Sequence, residues 1–224
     1  MSIKYFNNVT DYLLSEGVKD EKIQELNVLP EEFVNDSLSS YKKANYSLIF
    51  AHLVKKNRPK RISEFGVLGC YSFLSFALAI QKNSIDSEIH GYDLFEDYPY
   101  TKFKLSDAKS LVLKYVKRNI AYLHKGDVFS ENIIPKELGV SSMAHIDLSN
   151  DGDTYDYFIK YMESHTHFCL IFEGGSKKRD LVEWMVKYKK KSINNTLEEF
   201  AKLKSLSIVV INDFPSLTIV TKGN

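Results

Sequence analysis

From residue 60 onward, short and nearly continuous apolar runs alternate with longer stretches whose apolar residues recur three or four positions apart. The first pattern reads as strand and the second as amphipathic helix. Strand signals fall at 61–65, 88–93, 121–124, 143–148 and 167–172; helix signals fall at 70–82, 103–118, 154–164, 177–189 and 195–204. Strands separated by helices predict a parallel sheet. Two further apolar runs, 207–212 and 217–221, are separated only by Asp213-Phe214-Pro215-Ser216. A parallel return needs a crossover of about a dozen residues or more, so this pair runs antiparallel. The expected fold class is α/β, with a mostly parallel seven-stranded sheet that ends in an antiparallel hairpin.

Ahead of the alternating region, residues 1–57 read as a helical extension separate from the sheet. An amphipathic piece at 10–14 stops at Gly17, and Pro30-Glu31-Glu32 has the proline and acids of a helix start. Over 41–56, Tyr41, Ala44, Leu48, Ala51 and Leu53 fall near one helical face, and Asn57-Arg58-Pro59 ends the run. The expected division is therefore an extension at 1–57 and a ligand-binding domain at 58–224.

The candidate chemistry lies where the first strand of that domain meets its helix. Glu64-Phe65-Gly66-Val67-Leu68-Gly69 is a strand end followed by a Gly-x-x-Gly turn. Glycines there permit positive φ and close approach of backbone to a ligand, and the helix that follows directs its first N–H groups at the turn. Such a crevice, outside the carboxyl end of a parallel strand, is where nucleotide-like ligands bind. The next strand ends in Asp93, a carboxylate placed to accept both ribose hydroxyls of a nucleoside cofactor. NAD and S-adenosylmethionine satisfy that pattern equally.

Composition narrows the setting. The chain has 224 residues, is 44% hydrophobic and 26% charged, and carries a net charge of +1, as expected of a globular protein and not of a nonspecific nucleic-acid binder. The basic run 187–191 reads as a solvated helix end. Two cysteines, Cys70 and Cys169, are too few for a disulfide framework or a zinc site. Neither a signal peptide nor an apolar run long enough for a membrane span is evident, so a cytoplasmic location is expected.

Taken in order, these segments make the chain resemble a class I S-adenosylmethionine-dependent methyltransferase over residues 60–222. The fold implied is Rossmann-like. Glu64, Gly66 and Gly69 are similar to the motif that holds the amino-acid end of the cofactor. Asp93, with Leu94 beside it, matches the ribose-binding acid. Gly126-Asp127-Val128-Phe129 resembles the third-strand segment near the adenine. Within the class, the stretches 145–155 and 171–176 look like small-molecule O-methyltransferases related to macrocin methyltransferase. That resemblance implies a small-molecule hydroxyl acceptor, Asp147 as base, and a magnesium ion held by Asp147 and Glu173. Gly174 stands where the group's second acid of that strand would be, and Asp151 and Asp153 are candidate substitutes with the hard oxygen ligands that magnesium needs.

His145 shares a strand face with Asp147. It reads either as a second catalytic group or as a packed core histidine. His167, at the opposite end of its strand, reads as structural. Tyr71, Phe95, Tyr98 and Tyr100 are candidates to border the cofactor or acceptor. Asp153 precedes a helix and fits an N-cap.

Two other readings compete. A nicotinamide-dependent oxidoreductase would call for a third glycine in the first turn and, in many cases, a Tyr-x-x-x-Lys pair; neither Tyr157 nor Tyr161 has that lysine. A methyltransferase-like fold acting only as a binding module is the other. A nucleic-acid methyltransferase is disfavoured by the absence of an Asn/Asp-Pro-Pro-Tyr/Phe stretch. A homodimer through the N-terminal helices is compatible with the pattern.

Overall fold

The computed structural model describes residues 2–99, 101, 103–117, 119–130, 132–163, 169–202 and 205–222. Strands β1 (Lys4–Phe6), β2 (Arg61–Phe65), β3 (Glu88–Asp93), β4 (Ala121–Lys125), β5 (Met143–Ile146), β6 (Cys169–Glu173), β7 (Leu206–Ile211) and β8 (Leu217–Lys222) form one sheet. Their spatial order is β1-β7-β8-β6-β5-β2-β3-β4. β8 runs antiparallel to both β6 and β7, and every other pair is parallel.

The mostly parallel sheet and its closing hairpin are as expected, but the sheet has eight strands and not seven. The extra strand, β1, belongs to the segment expected to stand apart as helix, and it pairs with β7 from Lys4↔Val209 to Phe6↔Ile211. The remainder of that segment holds α1 (Val9–Ser15), α2 (Asp20–Ile23), α3 (Glu31–Asp36), α4 (Tyr41–Ala44) and α5 (Ser47–Asn57). The helix expected over 41–56 is broken at Asn45, whose φ of 54° is left-handed; asparagine tolerates that conformation better than most residues.

The later helices are α6 (Tyr71–Lys82), α7 (Leu105–Tyr115), α8 (Ile133–Leu138), α9 (Gly152–Glu163), α10 (Glu183–Lys187) and α11 (Ile193–Phe200). The helix expected over 177–189 is reduced to a 3-10 turn at Arg179–Leu181 and the short α10, and α11 ends well before residue 204. Because successive strand residues point to opposite faces, the sheet separates two cores. Met143, Cys169 and Ile171 pack with α5 and α6 on one face. Ala144, Ile146, Leu170 and Phe172 pack with α9 and α11 on the other. No helix among the described residues is long and apolar enough to cross a membrane.

The chain leaves β2 for β3 on one side and later returns as β5 on its other side. That reversal opens a crevice at the carboxyl ends of the strands.

Candidate functional site

The turn after β2 is wedged between its two neighbours. Gly66 N–H donates to the Tyr92 carbonyl (2.9 Å), and Asp147 N–H donates to the Phe65 carbonyl (2.8 Å). Gly66 has φ +88°, and a Cβ there would lie 2.0 Å from the Asp147 carbonyl oxygen. Glycine is required here on both counts. Gly69 is different: its backbone is not left-handed, and no atom lies within 4 Å of a Cβ built on it. Leu68 (φ 40°) and Cys70 (φ 63°) take the left-handed conformations instead.

Asp93 accounts for that turn. Its Oδ2 accepts from Val67 N–H (2.7 Å) and Leu68 N–H (2.8 Å), and its Oδ1 accepts from Phe95 N–H (2.7 Å). A carboxylate offers about four lone-pair sites, so three are engaged by the protein and one Oδ1 site remains. The expectation that Asp93 takes both ribose hydroxyls becomes, in this geometry, room for one.

Gly66, Leu68, Asp93, Leu94, Asp127 and Val128, with Asp147 at the far side, line a cavity of about 350 Å³; Tyr98 borders it as well. The exposed Asp127 accepts from Phe129 N–H (3.0 Å), and that bond, followed by those from Ser130, holds its carboxyl below the usual range. Leu68 and Asp147 also line a second, larger cavity of about 660 Å³. Its walls are Phe33, Tyr41, Tyr71, Phe103 and Tyr115, with Glu32, Asp36 and Lys114 also contributing. The rings brace one another: Phe33 stacks on Tyr71 at 6.3 Å and meets Tyr115 edge-on at 6.4 Å.

Glu64 and His145 reach neither cavity. They are register partners across β2 and β5, both 0% exposed. Glu64 Oε1 accepts from the Ser72 hydroxyl and from His145 Nδ1 (2.8 Å), and His145 Nε2 is hydrogen-bonded to the Tyr41 hydroxyl (3.2 Å). Phe50 and Phe76 pack around the imidazole. Of the two readings of His145, the geometry matches the packed, hydrogen-bonded core residue. Burial pushes the Glu64 carboxyl up, against the opposing bonds from His145 and Ser72. The outward end of this chain is Tyr41, which does line the larger cavity. Its hydroxyl is driven well above the ordinary tyrosine range, first by burial and then by the charges of Asp147 and Glu173.

Asp147 is half-buried and its Oδ1 accepts from Asn150 Nδ2 (2.9 Å). Glu173 ends β6 beside it; Arg179 Nη2 donates to its Oε1 (3.1 Å), and the Asn150 side chain bonds it too. These residues do not fit the expected magnesium ion. No group of three His, Cys, Asp or Glu side chains that could hold a metal exists among the described residues. Gly174 contributes no donor, and Glu173 is already occupied by a guanidinium. The candidate substitutes are also engaged or remote: Asp151 accepts from Thr154 N–H (3.1 Å) and pairs with Lys190 (2.9 Å). Asp151, and not Asp153, is the residue that caps α9; Asp153 is exposed in the first turn.

Among the aromatic candidates, Tyr71 and Tyr98 line cavities and Phe95 is buried in the core. Tyr100 and His167 lie outside the described residues. Tyr41, Asn150 and Arg179 were not anticipated. The one sequence signal for Arg179 is a cation six residues beyond the acid that ends β6, following a glycine where the resemblance called for a second acid.

Solved structures similar to this chain in fold include methyltransferases. A methyltransferase from Podospora anserina, PaMTH1, solved with S-adenosylhomocysteine, superposes with a TM-score of 0.59 at 15% identity over 100% of both chains. The chain has the methyltransferase fold. The O-methyltransferase TomG from Streptomyces achromogenes, involved in tomaymycin synthesis and solved with S-adenosylmethionine, gives 0.60 at 16% identity over 97% of each chain. An O-methyltransferase from Bacillus cereus, solved with S-adenosylhomocysteine, gives 0.58 at 14%, covering 97% of this chain and 98% of that one. No protein-family model matches the chain, and no curated protein matches it either.

Proposed function

We propose that the protein is an S-adenosylmethionine-dependent methyltransferase whose acceptor is a small molecule methylated on a hydroxyl. The observation that carries this reading is the pair of cavities meeting at Leu68 and Asp147. The smaller has acids at the ends of β3 and β4, suited to a nucleoside, and the larger is walled by aromatic rings, suited to an organic acceptor. The bound states of PaMTH1, TomG and the Bacillus cereus enzyme support the choice of cofactor over NAD.

S-adenosylmethionine held there supplies an electrophilic methyl group on a sulfonium sulfur. Asp93 would fix the ribose through its remaining Oδ1 site, with Leu94 and Val128 against the nucleoside and Asp127 at its rim. Asp147, common to both cavities, would take the proton of the acceptor hydroxyl; Asn150 donates to its Oδ1, and the Tyr41 hydroxyl also bonds its carboxylate. The aromatic walls exclude water and align the acceptor, which is the main contribution a protein makes to an in-line transfer.

Calorimetric titration of S-adenosylhomocysteine into wild type and Asp93→Ala tests the reading. Binding by wild type that weakens at least tenfold in the variant is expected. No binding by wild type would refute it.

A further inference from the structure

Asp147 and Glu173 end adjacent strands, and Asn150 bridges their side chains. Two carboxylates so close need compensation, which a protein supplies as a retained proton, a bound ion or a fixed cationic side chain; the side chain within reach here is Arg179. We infer that Arg179 is the built-in cation of this pair, positioning Glu173 and, through Asn150, the proposed base Asp147 without a divalent ion. The inference deepens the methyltransferase reading and rests on it for the role of Asp147.

Arg179 is clamped where it stands. Its guanidinium lies 3.1 Å from Glu173 Oε1, its Cζ is 5.3 Å from the Trp184 ring centroid, and its backbone N–H donates to Ser176 (3.0 Å). Only 6% of the residue is exposed, so its charge acts with little screening by water. Carboxylate and aromatic face are the two surfaces that a planar guanidinium matches better than an ammonium does.

Gly174 is the complement of that arginine. Its φ is +110°, and a Cβ there would meet Ile193 Cδ1 at 3.0 Å, the Tyr155 hydroxyl at 3.2 Å and Arg179 Cγ at 3.3 Å. A second acid at this position would be strained at that φ and would press on Ile193, Tyr155 and the stem of Arg179. The glycine and the arginine are thus complementary: the absence of a side chain at 174 leaves room for the Arg179 stem, and the arginine supplies at Glu173 the positive charge that a metal would otherwise bring.

The test uses Mn²⁺, followed by its electron paramagnetic resonance signal, added to the intact protein. Wild type should show no saturable site up to millimolar metal. Arg179→Met, which keeps most of the volume and loses the charge, should gain at least tenfold in Mn²⁺ affinity, and adding Asp147→Asn should abolish the gain. Arg179→Lys should show no such gain. A Mn²⁺ site in wild type that Asp147→Asn removes, or an Arg179→Met protein that folds and binds no better than wild type, would overturn the inference. Should Arg179→Met fail to fold, the wild-type measurement decides alone. Titrating S-adenosylhomocysteine into the same wild-type sample separates the two ideas, because its failure to bind sinks the methyltransferase reading and leaves the metal result standing.

Discussion

Replacing Gly66 with alanine sets a methyl carbon 2.0 Å from the Asp147 carbonyl oxygen and 2.8 Å from its carbonyl carbon, at a backbone φ of +88°. Neither contact is with a flexible side chain, so the end of β5 must move away from β2. Forcing a non-glycine residue into the left-handed region costs about 1–2 kcal/mol, and overpacking adds about 1–3 kcal/mol. The sum, roughly 2–5 kcal/mol, would lower the melting temperature by about 4–20 °C in a chain of this size. Gly69→Ala provides the control within the same turn, since its Cβ meets nothing within 4 Å and its φ is not left-handed. That variant should stay within about 0.5 kcal/mol of wild type. Urea unfolding monitored by circular dichroism measures both, and calorimetry with S-adenosylhomocysteine reads the site. Gly66→Ala should weaken binding as well, because Gly66 and the displaced Asp147 both line the smaller cavity. Equal unfolding midpoints for the two variants would refute the reasoning, since the two glycines would then be interchangeable.

Three further outcomes follow from the buried groups. Tyr41→Phe removes the hydroxyl that meets His145 Nε2 and leaves that buried nitrogen unpaired, so about 1–3 kcal/mol of stability should be lost in urea. Burial first, and Asp147 second, push the Glu173 carboxyl from 4.5 up to about 8, against the pull of Arg179. A carboxyl raised on folding stabilises fully below its unfolded pKa and ceases to do so as pH rises through the folded value. Wild-type stability should therefore fall between about pH 4.5 and 8 on this account, and Glu173→Gln, which cannot ionise, should flatten that fall when urea midpoints are compared across the range. Burial likewise pushes the Cys169 thiol up to about 12 and Cys70 well above its ordinary value. An aromatic disulfide reagent should consequently label neither thiol until the protein unfolds, and rapid labelling of the native state would contradict the burial described.

Much of the sheet was legible because strands buried on both faces carry continuous apolar runs, and because the turn at 213–216 is too short for anything but a hairpin. β1 was not. Lys4-Tyr5-Phe6 is only three residues long, has no alternation to detect, and is made a strand by residues some two hundred positions away. Local propensity also overstated the helices at 41–56 and 177–189, where a left-handed Asn45 and the packing of Arg179 against Glu173 and Trp184 impose breaks. In the site, Asp93, Leu94, Asp127, Val128 and Asp147 come together as the order of strands implied. Glu64 and Gly69 do not line that cavity, and the reasons are nonlocal. Glu64 finds His145 across eighty-one positions of chain, and Asp93 organises the turn by bonds to backbone that leave no trace in residue type.

The sheet order bears on how the chain is assembled as it is made. β8 is the last strand in chain order, yet it occupies an interior place between β6 and β7. Until residues 217–222 have left the ribosome, β6 has no strand neighbour on that side, and the β1–β7 pair has no strand ladder to the rest of the sheet. The nascent chain can pair β2, β3, β4, β5 and β6 early, but the ladder that links β1 and β7 to them forms only once β8 has been made. The halves of the sheet are thus bolted together by β8, and a polypeptide cut short before Leu217 would present two open edges to its surroundings, the template for aggregation that unpaired strands provide.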